Sequence, residues 1–135
     1  MPQMPPYGEF IFGHEYAGDV AAVGRTVDEF RVGDRVVVEA HMGCRRCENC
    51  IRGLYTACLN YGNTRRGHRA NGFTTNGGLA EYAVNHVNTL YRIPDGVSYE
   101  EATVLVAPHR FELQDRRVPM PGDEDVLVRV RACGV

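Results

Sequence analysis

The sequence predicts a mainly β domain with short helices and a metal-binding lobe. Short valine-rich runs are bounded by turns built on Gly, Pro and Asp. Four of the five cysteines crowd between Cys44 and Cys58. A capping box, Ser98 with Glu101, announces no more than a turn of helix before Pro108. The 135 residues read as one domain, 1–135, and an apolar content of 44% suffices for a core.

Charge narrows the function classes. The net charge of −2 argues against nucleic acid or an anionic membrane as partner. All 15 basic residues are arginine, so Schiff-base chemistry on lysine is excluded. No apolar run approaches membrane-spanning length, and residues 1–12 lack the pattern of a secretory leader. The expected compartment is the cytosol, where clustered cysteines bind metal more often than they pair.

In chain order, residues 1–10 hold three prolines and read as an irregular arm. His14 and Glu15 follow between Gly13 and Gly18, a turn suited to presenting a ligand. Residues 18–23 are expected as a strand, closed by Gly24. Residues 36–39 form the next strand; Val36, Val37 and Val38 are consecutive, which predicts burial on both faces.

Cys44, Cys47, Cys50 and Cys58 then follow the spacing C-x2-C-x2-C-x7-C. One zinc ion held by four thiolates is the favoured reading. Arg45, Arg46 and Arg52 are expected to offset its negative charge. An iron–sulfur cluster is a rival, because the first three cysteines fit its spacing. The fourth comes late, however, and Leu59 stands where proline is expected. Disulfides are disfavoured by crowding; unliganded thiols are the remaining alternative.

Residues 60–78 read as a loop, and 64–69 within it as a solvated basic run rather than a phosphate site. Gly77 and Gly78 suit a sharp bend into a strand at 80–84, followed by another at 89–93 and a Pro94–Gly96 turn. A helical turn at 98–102 and a strand at 103–107 come next. Val126, Val128 and Val130 alternate with other residues in a last strand.

Four segments together carry a family resemblance: GHEYAGDVAAVGRTVDEFRVGDRVVV, the cysteine stretch, GFTTNGGLAEY and VLVRVRACGV. The chain resembles the medium-chain zinc-dependent alcohol and polyol dehydrogenases over nearly its whole length. The resemblance implies a GroES-like β-barrel with a zinc lobe at about residues 41–62. By it, Cys44, Cys47, Cys50 and Cys58 hold a structural zinc. His14 is the histidine that binds the catalytic zinc, and Glu15 its neighbour or alternate ligand.

The order of segments is unusual. Residues 103–135 resemble the beginning of a family member, and 98–102 the passage into its Rossmann domain. The chain thus resembles a circularly permuted catalytic domain without its nucleotide-binding domain. The family's catalytic cysteine falls just beyond Val135, and Cys133 matches a small packing residue. His14 alone is too few ligands for a catalytic zinc. No G-x-G-x-x-G opens a βαβ unit, so NAD(P) is expected only through a missing domain.

The expected function is therefore the catalytic-domain portion of a zinc-dependent NAD(P) alcohol or polyol dehydrogenase, inactive without a nucleotide-binding domain. The alternative is a zinc-stabilised scaffold or interaction module that self-associates through an edge strand or the lobe.

Overall fold

Two long strands, far apart in sequence, form the middle of a five-stranded sheet. The structure, a computed structural model, describes residues 10–99 and 117–134. The expected arm up to residue 9, the helical turn from residue 100 onward and the strand at 103–107 lie outside the described residues.

The strands are β1 (Glu15–Val23), β2 (Arg35–Val38), β3 (Tyr82–His86), β4 (Leu90–Arg92) and β5 (Asp125–Gly134). They lie in the order β3-β5-β1-β2-β4, and every neighbouring pair is antiparallel. A four-residue helix, α1 (Glu48–Ile51), and three short 3-10 turns complete the described structure. No helix among the described residues is long and apolar enough to cross a membrane.

The core follows from side-chain alternation along these strands. Val36 and Val38 of β2 meet Val20 of β1 and Val126 and Val128 of β5, with Tyr16, Phe30, Ala83 and Leu90 around them. Burying each such valine stabilises the fold by roughly 1.5–3 kcal/mol. Val37 departs from the expected burial on both faces. It is half-buried and points instead into a cleft beside His14. The three valines alternate because β2 has the core on one side only.

Strand bounds also shift, for local reasons. β1 begins at Glu15 rather than 18, since β5 supplies partners as far as Gly134. β3 begins at Tyr82 rather than 80. Gly77 and Gly78 first pass over the start of β1, where a Cβ would meet Gly13 O at 2.0 Å or the Tyr16 ring at 2.3 Å. Close approach, not turn geometry, demands these two glycines. β4 is shortened by a 3-10 turn at Val87–Thr89, whose Thr89 hydroxyl donates to His86 O at 2.7 Å.

A buried polar cluster joins the sheet to the loop above it. The Tyr16 hydroxyl donates to Asn85 Oδ1. Asn71 Nδ2 donates to Tyr16 Oη at 3.0 Å and to Asn85 Oδ1 at 2.6 Å, while Thr75 donates to Asn71 Oδ1 at 2.9 Å. Tyr16, Asn71 and Asn85 thereby satisfy one another, as buried polar groups require. The loop at 60–78 is thus partly buried, and within it the expectation of a solvated run at 64–69 is corrected at His68. Arg65 and Arg66 are exposed, but His68, Asn71 and Thr74 are buried.

The pairing of β1 with β5 shifts register between Ala17 and Gly18, and again between Val20 and Ala22. At the first shift the strands close up: a Cβ on Gly18 would stand 2.1 Å from Arg129 O. Backbone cannot yield as a flexible side chain does. Gly18→Ala is therefore expected to destabilise the protein by about 1–3 kcal/mol, read as a lower urea midpoint. An unchanged midpoint would show that the two strands can part without cost.

Candidate metal centre

The lobe brings the four cysteines together through tight turns. Gly43 and Arg45 adopt left-handed backbone, at φ 69° and 62°. At Gly43 this is reinforced by crowding, since a Cβ would lie 2.9 Å from Cys50 Sγ. Cys47 caps α1, and its sulfur accepts from Cys50 N at 3.5 Å. Cys44 Sγ accepts from Cys47 N at 3.3 Å. The chain returns through the 3-10 turn Tyr55–Ala57 to Cys58, whose sulfur accepts from Asn60 N at 3.3 Å.

The four sulfurs all lie within 4.8 Å of one another, and the pairs Cys44–Cys50 and Cys47–Cys58 are each 3.9 Å apart. A tetrahedron with zinc–sulfur bonds of about 2.3 Å has edges of about 3.8 Å. The donor set thus fits a single zinc ion. A disulfide would bring two sulfurs to about 2.05 Å, and all five cysteines are free. Four thiolates converging on one point also leave no room for an iron–sulfur cage. Among the described residues, this is the one such group of three or more His, Cys, Asp or Glu donors.

The electrostatics differ from expectation in one respect. The Arg45 guanidinium pairs with Glu124 at 3.1 Å and that of Arg52 with Glu48 at 3.1 Å. Both charges are engaged by carboxylates. The sulfurs are instead served by N–H groups, including the backbone amides of Arg45 and Arg46. Burial pushes the Cys44 thiol up, but hydrogen bonds from Asn60 and from the Arg46 and Cys47 amides outweigh it and bring it to about 6. Burial pushes Cys58 up to about 12. Cys47 is lowered, chiefly by the Cys50 amide, and Cys50 raised by burial.

Away from the cysteines, a cleft of ≈ 410 Å³ opens beside His14 and Glu15. Val37, Glu39, His41, Phe73 and Tyr91 also line it. The His14 ring stands 4.5 Å from that of Phe73, and His41 lies 5.4 Å beyond on the same phenyl ring. Burial lowers the His41 pKa; Glu39 opposes this and His14 adds to it. The Tyr55 hydroxyl donates to Glu39 at 2.7 Å.

The sequence singled out His14 and Glu15 but not Glu39 and His41, which line the same cleft. The signal was present: Val37, Glu39 and His41 keep the two-residue period of β2 past its end, which turns all three to one side. His68, read as part of a solvated run, is instead fully buried against Tyr61, with ring centroids 4.5 Å apart. Its Nδ1 accepts from Gly62 N at 3.1 Å. Cys133 lies behind the His14 turn, where a Cβ on Gly13 would be 2.6 Å from its sulfur. Burial raises this thiol to about 11, with the Glu15 charge adding to it, which suits a packing role.

Sheet, lobe and site together define the class. The chain belongs to the alcohol dehydrogenase GroES-like domain family, whose profile matches residues 1–95. Its relatives are zinc-type alcohol and polyol dehydrogenases. Sorbitol dehydrogenase of Bacillus subtilis (strain 168) is 41% identical over 96 residues, covering 71% of this chain and 26% of the relative. The zinc-type alcohol dehydrogenase-like protein YphC of Escherichia coli (strain K12) is 38% identical over 104 residues, covering 77% of this chain and 28% of the relative. Among solved structures, an NAD-dependent alcohol dehydrogenase superposes with a TM-score of 0.62 at 32% identity, over 76% of this chain and 27% of that one. The chain therefore spans about a quarter of the length of these proteins.

Zinc binding at such a site is folding energy, because the site does not exist in the unfolded chain. Cys47→Ala removes one of the four ligands and the cap of α1. The variant should retain far less zinc by elemental analysis and be cut readily between residues 43 and 62 by protease. Full zinc content with unchanged protease resistance would refute the role given to Cys47.

Proposed function

We propose that the chain supplies the GroES-like catalytic part of a zinc-dependent NAD(P) alcohol or polyol dehydrogenase. In this reading it is inactive until joined by a nucleotide-binding domain. The observation that carries the reading is the His14–Glu15 cleft, set beside a four-cysteine zinc lobe in a chain of this family.

His14 is the ligand that this chain brings to a catalytic zinc, with Glu15 at its side. Zinc held there would lower the pKa of a bound alcohol, so that its proton leaves before hydride passes to the nicotinamide. Phe73 supports the His14 ring from one side. Tyr91 and Val37 give the cleft an apolar wall. The cleft is open, consistent with closure by a Rossmann-type partner domain or a second copy. The proposed compartment is the cytosol.

We also read the chain as permuted. The position of β5 supports this: the last described strand in sequence, within the segment that resembles the beginning of a family member, lies inside the sheet between β1 and β3.

The test is oxidation of sorbitol and simple alcohols with NAD and with NADP. The chain alone should show no turnover. Fusion to the nucleotide-binding region of the Bacillus sorbitol dehydrogenase should give turnover that His14→Ala abolishes. Turnover by the chain alone would overturn the requirement for a second domain. A zinc-loaded fusion that is silent with every alcohol would favour a non-catalytic scaffold.

A further inference from the structure

We infer that Asn60 is the residue that tunes how tightly the four-cysteine centre holds its metal, by donating two hydrogen bonds to two different sulfurs. The inference rests on the zinc reading of that centre. Asn60 Nδ2 lies 3.1 Å from Cys44 Sγ, and Asn60 N lies 3.3 Å from Cys58 Sγ. Cys44 and Cys58 are the two buried members of the set, so water does little to stabilise their charge.

Four thiolates around a dication leave two surplus negative charges. N–H donors that face the sulfurs offset that charge and hold each sulfur in place. The other nitrogen donors to these sulfurs are backbone amides, among them Cys47 N to Cys44 and Cys50 N to Cys47. Among the described residues, Asn60 Nδ2 is the one side-chain nitrogen that bonds a cysteine sulfur. It joins opposite ends of the ligand set, because Cys44 is the first ligand in sequence and Cys58 the last. The Arg45 and Arg52 side chains are paired to carboxylates instead.

Asn60 is a positioning residue, and two substitutions isolate its amide. Asn60→Ala removes Nδ2 and keeps the backbone N–H to Cys58. Asn60→Asp keeps the shape and turns a carboxylate oxygen toward Cys44. Asn49→Ala is the matched control. It removes a hydrogen bond of the same lobe, Asn49 Nδ2 to Ala57 O at 2.7 Å, that touches no sulfur.

Zinc affinity is measured on the full chain by competition with a chromophoric chelator. The sulfur-to-metal charge-transfer band is recorded with cobalt(II) in place of zinc. Asn60→Ala should weaken zinc binding by about 10- to 100-fold, within the range for lost outer hydrogen bonds. Asn60→Asp should weaken it further. Both should shift the cobalt band, while Asn49→Ala leaves the band where it is. Wild-type affinity in Asn60→Ala, an unmoved band, or an equal loss in Asn49→Ala would overturn the role of Asn60. A wild-type chain that takes up neither zinc nor cobalt would overturn the zinc reading itself, and this inference with it.

Discussion

The pairing of β1 with β5 is the constraint on which the rest of the molecule depends. It places Tyr16 at the base of the core and in the buried polar cluster at once. It also sets where β1 begins, at Glu15 opposite Gly134. The turn before it, with Gly13 at φ 92°, is wedged between Cys133 of β5 and Leu79. Gly72 and Gly77 press on its carbonyl from the other side, so that any Cβ there would collide with Gly13 O. His14 thus takes its place from backbone packing on several sides, and the cleft inherits that rigidity.

The lobe is organised by different forces. It has almost no apolar interior: α1 has no buried residue, and Ile51, Leu54 and Leu59 are exposed. Its order comes from turns, from amides directed at sulfur, and from the charge of the metal that the sulfurs fit. One ion pair moors it beside the start of β5, Arg45 with Glu124, and the loop that follows the lobe is held by Arg69 with Asp125 at 2.6 Å. The arginines that might have neutralised the sulfurs are spent partly on this mooring. Backbone N–H groups and Asn60 take over the task at shorter range.

Much of this was legible in the chain. Ligand spacing fixes the cysteine site because four thiolates so close in sequence have few ways to be satisfied. The strands were visible as valine-rich runs between turns. Their ends were not, because they depend on partners: β3 starts late since Gly77 and Gly78 must first cross β1, and β1 starts early since β5 reaches that far. His68 misled because a histidine among exposed arginines looks solvated, and only the fold brings Tyr61 over it. Glu39 and His41 were hidden for the opposite reason. Their period-two pattern continues past the strand, where side-chain direction is no longer assumed.

The strand order has a consequence for how the chain acquires its shape. Contacts between near neighbours in sequence form before contacts that must close long loops. The cysteine lobe is assembled from a single short stretch, whereas β1 finds its partner β5 only after all the residues between them have been made. During synthesis, then, a metal-clamped lobe can stand complete beside a sheet that still lacks β5. Until residues 125–134 arrive, one edge of β1 is unpaired and β3 lacks its partner among the described strands, and exposed edges of that kind are where chains stick to one another. The nascent protein is most vulnerable in the interval between its first ordered part and its last.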